Sequence, residues 1–166
     1  MWKIDPFVAF GSLSFGSARG SIRSLLGSEF RSFKKTPSSP NDTDAYQAMG
    51  IQLYYDEDDK LDLVEAVIGR CDKVYLGETL ISGLRLDDLV ASFKAIGLAG
   101  IREVDGCDFP DAGISVSATD RVKVSSVAAF NRERFARLME IKQRVAEKRA
   151  RRAQERANGS GPPPMF

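Results

Sequence analysis

Two stretches of the chain alternate apolar and polar residues with a period of two: Ile51, Leu53 and Tyr55 in the first, Ile114, Val116 and Ala118 in the second. That period sets the apolar side chains on one face of a strand. Each stretch runs into a polar turn, Asp56 to Lys60 or Thr119 to Arg121, and then into a second apolar run, Leu61 to Ile68 or Val122 to Phe130. Two β-hairpins are predicted. Ahead of each lies a segment with helical spacing. Ile22, Leu25 and Leu26 stand at i, i+3 and i+4, with Ser17 or Ser21 to cap the helix and Gly27 to stop it. The second stripe runs through Leu84, Leu86, Leu89, Val90, Phe93 and Ile96 and ends before Gly97.

The order helix, loop, hairpin thus occurs twice, and the hairpins open alike. Asp44-Ala-Tyr-Gln-Ala-Met-Gly50-Ile51 resembles Asp108-Phe-Pro-Asp-Ala-Gly113-Ile114, and the two Gly-Ile pairs are 63 residues apart. Long connections fall in matching places: Lys34 to Asp44, rich in proline and hydroxyl residues, and Ala99 to Asp108, which also reads as irregular. Lys73 to Leu76 reads as a strand opening the second unit, with Val8 to Phe10 opening the first. The expected fold is α+β: two tandem helix-loop-hairpin repeats, 1–70 and 71–130, forming one antiparallel sheet packed by short helices.

After Phe130 the pattern changes. Residues 131–157 contain no proline or glycine and carry Phe135, Leu138, Met139, Ile141 and Val145 early, then only alanines as apolar residues. This is a helix whose first half can pack on the body and whose second half has little to bury. It is also where the charge sits. The segment holds ten of the 24 basic residues and four of the 23 acidic ones, so it carries +6 while the rest of the chain carries −5. The last stretch, 158–166, reads as a flexible tail.

Composition narrows the chemistry by a zero: the chain has no histidine. Histidine-dependent nucleophilic triads and histidine-ligated zinc are thereby excluded. Cys71 and Cys107 lie 36 residues apart with no Cys-x-x-Cys pair, and read as core or boundary residues of a reduced, cytoplasmic protein. No apolar run reaches the roughly 18–20 residues of a membrane span, and neither of the glycine-rich phosphate-loop patterns occurs. No catalytic residue, cofactor or metal ligand is expected. The acidic run Asp56-Glu57-Asp58-Asp59 fails as an EF-hand loop, because Leu61 and Val67 stand where glycine and glutamate are required. It reads as a solvated turn or as an acidic patch that steers a cationic partner. Asp108 and Asp111, with Glu103 and Asp105, form a second acidic group. Tyr46 and Tyr54 are candidate interface anchors; of Tyr54 and the adjacent Tyr55, one must face the core. The basic helix offers Lys142, Arg144, Lys148, Arg149, Arg151, Arg152 and Arg156 to phosphates, but has no aromatic residue beyond Phe135 to stack on bases and is interrupted by glutamates, which disfavours nucleic acid.

The segment Phe10-Gly-Ser-Leu-Ser-Phe15-Gly16-Ser17, followed by Ile22, Leu25, Leu26 and Gly27, resembles the small α/β repeat shared by BamE-like lipoproteins, the β-lactamase inhibitor protein and immunity-type proteins of bacterial toxin systems. The resemblance spans 8–66 and, more weakly, 74–130. Two departures stand out: no lipidated cysteine supports an outer-membrane role, and Arg19-Gly20 replaces a better helix former. The resemblance implies a concave sheet presented to an enzyme. The expected function is therefore that of a binding protein, a cytosolic immunity protein that occludes the active site of a cognate toxin, with Asp56, Glu57, Asp58, Asp59, Tyr54, Tyr46, Asp108 and Asp111 as the contact residues. An adaptor that docks its basic helix on a protein or nucleic acid is the alternative.

Overall fold

The computed structural model describes residues 1–37 and 39–157; the tail 158–166 lies outside the described residues. The protein is α+β, with two sheets and three helices, the last of them long. The larger sheet is antiparallel and has eight strands: β4 (Arg31–Phe33), β5 (Thr43–Tyr46), β6 (Ile51–Tyr55), β7 (Leu61–Val67), β10 (Ile101–Arg102), β11 (Gly106–Phe109), β12 (Ile114–Ser117) and β13 (Ser126–Phe130). Their order, β10-β11-β12-β13-β7-β6-β5-β4, is symmetric about the central β13–β7 pair. Five shorter strands form the second, mixed sheet: β1 (Trp2–Asp5), β2 (Ala9–Phe10), β3 (Leu13–Ser14), β8 (Val74–Leu76) and β9 (Thr79–Leu80). The helices are α1 (Arg19–Leu26), α2 (Leu86–Ala95) and α3 (Arg132–Ala157).

The single antiparallel sheet expected from the sequence is corrected to two. The strand opening the second half, β8, pairs in parallel with β1, Trp2 against Val74 and Ile4 against Leu76. Val8 to Phe10 is instead the return strand β2. A parallel pair needs a long crossover, and the whole first half of the chain supplies it. Ala99 to Asp108 is likewise not irregular, since it holds β10 and most of β11. The second hairpin is shorter than its apolar run, because β13 starts at Ser126. The Asp120 carboxylate accepts hydrogen bonds from the Val122 and Lys123 N–H groups at 2.9 and 2.8 Å, and this side-chain turn draws the chain out of the ladder.

Neither short helix is capped by a serine. Their N-caps are Ala18 and Arg85, with no side-chain cap bond. The first N–H of each helix donates to a hairpin tip instead: Arg19 N to the Asp59 carbonyl at 3.0 Å, Leu86 N to the Val122 carbonyl at 2.8 Å. A helix N-terminus must place its free N–H groups somewhere, and here the neighbouring turn accepts them. Gly27 ends α1 as expected, at φ 89°. Gly50 and Gly113 both sit in the left-handed region, at φ 66° and 60°, each closing a three-residue 3-10 turn. Gly50 has a second constraint: a β-carbon there would overlap the Arg70–Cys71 backbone.

The inner face of the large sheet carries Ile51, Leu53, Tyr55, Val64, Ala66, Phe109, Ile114, Val116, Val127 and Ala129, all buried. They share one core with α1, α2 and the small sheet's Ile4, Phe10, Val74 and Leu76. Cys71 and Cys107 are free thiols on or near this core. No described helix is long and apolar enough to cross a membrane.

Candidate functional site

The outer face of the large sheet is the one turned away from the shared core. Alternation sends Gln52, Tyr54, Leu63, Glu65, Ser115, Ala128 and Phe130 to that side. A second, smaller apolar cluster forms there, of Leu63, Phe130 and Phe135 with Phe7, Tyr54, Ala128, Leu138 and Met139 packed round it. It is the seat of α3. Asn131 starts the helix, its Oδ1 accepting from Arg134 N at 2.7 Å. The Phe135 ring then meets Phe130 edge-on at 5.4 Å, and the Arg132 guanidinium lies 4.2 Å from the Phe7 ring centre. One turn beyond the apolar contacts, Lys142 Nζ reaches Asp108 Oδ2 at 2.5 Å and Glu103 Oε1 at 3.2 Å. Burial would lower the Lys142 pKa, but the hydrogen bonds and charges of Asp108 and Glu103 outweigh it and raise it.

Thus α3 crosses from the centre of the sheet toward the β10–β11 rim. Residues 143–157 are exposed throughout, an unsupported helix of about 22 Å at 1.5 Å per residue. On the opposite half of the outer face, on β4 to β6, Thr43 and Ala45 are buried, Phe33, Gln52 and Tyr54 half-buried and Arg31 exposed. There the Tyr54 hydroxyl donates to Glu65 at 2.6 Å, and Lys35 approaches the same carboxylate at 3.4 Å. Beside them is a cleft of about 310 Å³ lined by Arg31, Phe33, Gln47, Gln52, Val67 and Arg70.

No protein-family model, curated protein or solved structure matches this chain.

The contact residues expected from sequence do not gather on that surface. Asp56 is half-buried and its carboxylate accepts from the Asp58 and Lys60 N–H groups, which builds the turn. Asp59 holds φ 59° and pairs with Arg19 at 3.3 Å. Glu57 and Asp58 are exposed at the same tip. Two residues require correction. Tyr46 is 1% exposed, its ring stacked near Phe30 and its hydroxyl donating to the Gly27 carbonyl, so it cannot be a surface anchor. Asp108 is 2% exposed and committed to Lys142 and Ser115. Asp111 is exposed, on the 3-10 turn before Gly113. Tyr54 lies on the outer face and is half-buried, while Tyr55 faces the core. Burial and Glu65 push the Tyr54 hydroxyl pKa up, so it stays a proton donor.

The repeat alignment also shifts by one residue. Tyr46 opposes Ile51 as Phe109 opposes Ile114, so Asp44 corresponds to Cys107 and not to Asp108. Asp44 and Asp108 point to opposite faces of the sheet. One anchors α1, the other α3.

Proposed function

We propose that the chain consists of two tandem helix-loop-hairpin units, 1–70 and 71–130, and acts as a cytosolic binding protein of the immunity type, inhibiting a cognate toxin by covering its active site. The symmetric strand order supports the tandem reading, as do the matched ties from each helix N-terminus to a hairpin tip. The observation that carries the functional reading is the cleft at the β4–β6 end of the outer sheet face, with exposed Arg31 and Arg70 on its lining. An antiparallel sheet can leave part of one face to solvent, and a half-buried Phe33 beside exposed arginines that form no ion pair among the described residues suits a contact surface better than an ordinary polar exterior.

The test is a rescue experiment with the product of the neighbouring reading frame. Expression of that product alone should arrest growth, co-expression with this chain should restore it, and the purified pair should form a stoichiometric complex in which the partner's activity is lost. A partner that stays fully active in a saturated complex would overturn the reading.

The bare second half of α3 favours a second reading, an adaptor that docks through its basic helix. Deleting 143–157 separates the two, because no residue of that segment is buried and the body should keep its unfolding midpoint. If occlusion by the sheet face is the mechanism, affinity for the partner should change by less than about threefold, the scale of exposed ion pairs worth under 1 kcal/mol. Complete loss of the complex would transfer the function to the helix.

A further inference from the structure

We infer that the cleft at the β4–β6 end of the large sheet receives a carboxylate side chain of a protein partner, held by Arg31 and Arg70. This rests on the inhibitor reading above and adds the chemistry of the surface to be covered. It also reverses the sign of the partner's contact group relative to the one the acidic turn suggests.

Four observations converge. First, Arg31 and Arg70 enter one cleft from different elements, β4 and the turn after β7, and both are exposed. The register of β4 and β5 puts Arg31 on the same face as Ala45 and Gln52. Neither arginine forms an ion pair among the described residues, whereas Arg19, Arg23, Arg102 and Arg134 each do. Two guanidinium groups sharing a concave surface repel each other, and an anion between them relieves that cost.

Second, the nearby acids do not fill the role. Glu65 is taken by Tyr54 and Lys35. Glu29 is exposed and lines the adjoining hollow that also borders Arg31, but lies outside ion-pair distance of it. Third, the donors suit a carboxylate. Guanidinium groups offer paired N–H donors that match its two oxygens, and Gln52, whose Oε1 accepts from Lys35 at 3.2 Å, keeps its amide N–H₂ to donate. Phe33 and Val67 add apolar lining against which the methylenes of a glutamate can pack. Fourth, the volume of about 310 Å³ sits at the lower end of ligand pockets, which accommodates a side chain better than a nucleotide-sized cofactor.

The experiment titrates the ¹⁵N-labelled full chain at low salt with a hexaglutamate peptide, and in parallel with hexalysine and inorganic phosphate. Hexaglutamate should give saturable shifts at the Arg31 and Arg70 Nε–H groups and the Gln47 and Gln52 side-chain amides, with none from hexalysine. Arg31→Glu and Arg70→Glu should each weaken it by about tenfold or more. Shifts confined to Arg144–Arg156 would overturn the proposal, as would equal or tighter binding of phosphate at the cleft, which would make it a site for a small anion. The same variants separate this idea from the reading it rests on. If the unaltered chain inhibits the neighbouring product and the Arg31→Glu, Arg70→Glu double variant inhibits equally well, the cleft is refuted and the inhibitor reading survives. If the unaltered chain forms no complex, the inhibitor reading fails and the peptide titration decides the cleft by itself.

Discussion

Asp44→Ala is expected to cost about 3–5 kcal/mol of folding free energy, the range for removing one partner of a buried ion pair. Asp44 has no exposed surface and gathers four groups through five contacts: Arg23 through Nε at 2.9 Å and Nη2 at 2.8 Å, Arg19 at 3.3 Å, the Ser32 hydroxyl at 2.6 Å and the Tyr55 hydroxyl at 3.2 Å. The two arginines come from successive turns of α1 and stack on Tyr55 and Phe30, each guanidinium 4.4 Å from the ring centre. Alanine would leave Arg23 with no acidic partner among the described residues and Arg19 with Asp59 alone, both on the core side of the sheet. Equilibrium urea unfolding measures the loss, which should appear as a lower midpoint at an unchanged slope. A cost below about 1 kcal/mol would mean that α1 is held by its apolar stripe alone. The acid limb of the stability curve should change as well. Burial raises the Asp44 pKa, but the Arg23 and Ser32 hydrogen bonds and the charges of both arginines outweigh it, so the folded value lies below the usual one. A lowered carboxyl pKa stabilises the fold above about pH 4 and withdraws that support as pH falls through the folded value. The variant should lack this component of acid unfolding.

Asp62→Asn should act in the opposite direction. Asp62 lies in β7 beside the bulge at Tyr54/Tyr55, has no exposed surface, and neither carboxylate oxygen accepts a hydrogen bond. Arg134, 3.6 Å away in the first turn of α3, is its nearest cation. Desolvation drives the pKa up to about 6 against the opposing charges of Arg134 and Arg137, with Asp56 adding to the rise. The sign follows from proton binding. Between the unfolded value near 3.9 and about 6 the folded state binds more protons, so stability falls as pH rises through that window and the cost is complete above it. Asparagine carries no such cost. The variant should therefore gain on the parent by about 2–3 kcal/mol between pH 4.5 and pH 8, from roughly two pKa units at 1.36 kcal/mol each. The difference between the two unfolding curves at several pH values isolates this group. A difference that stays constant across the range would assign the burden elsewhere.

Both aspartates mark how far the chain could be interpreted before its structure. The two hairpins, the stops at Gly27 and Gly97, and the extent of α3 were legible, because alternation, positive-φ glycines and a proline-free charged run are local signals. Asp44 and Asp62 carry a weaker signal of the same kind, each a carboxylate embedded in an apolar strand. What alternation cannot say is which cation comes to meet it. Arg19, which looked like a poor helix former, is a ligand of Asp44 across 25 residues of sequence. The parallel β1–β8 pair and the fold-back of Lys142 onto Asp108 are contacts between distant segments, and the rim strands β4 and β10 are too short to show a period. The candidate site suffered most. Arg31 and Arg70 are ordinary in sequence and are united only by the sheet, whereas the conspicuous acidic run serves largely to shape its own turn.

The two rims of the large sheet limit how anything can approach it. β10 has two residues and β4 three, so each edge presents few unpaired backbone groups, while the long strands β6, β7 and β13 lie inside. Strand addition needs a row of free N–H and C=O groups, and short edges deny it. A second copy, or an extended segment of another protein, gains little by zipping onto this sheet. The architecture thereby discourages fibrillar growth and leaves broadside contact, through side chains, as the productive route to the eight-stranded layer.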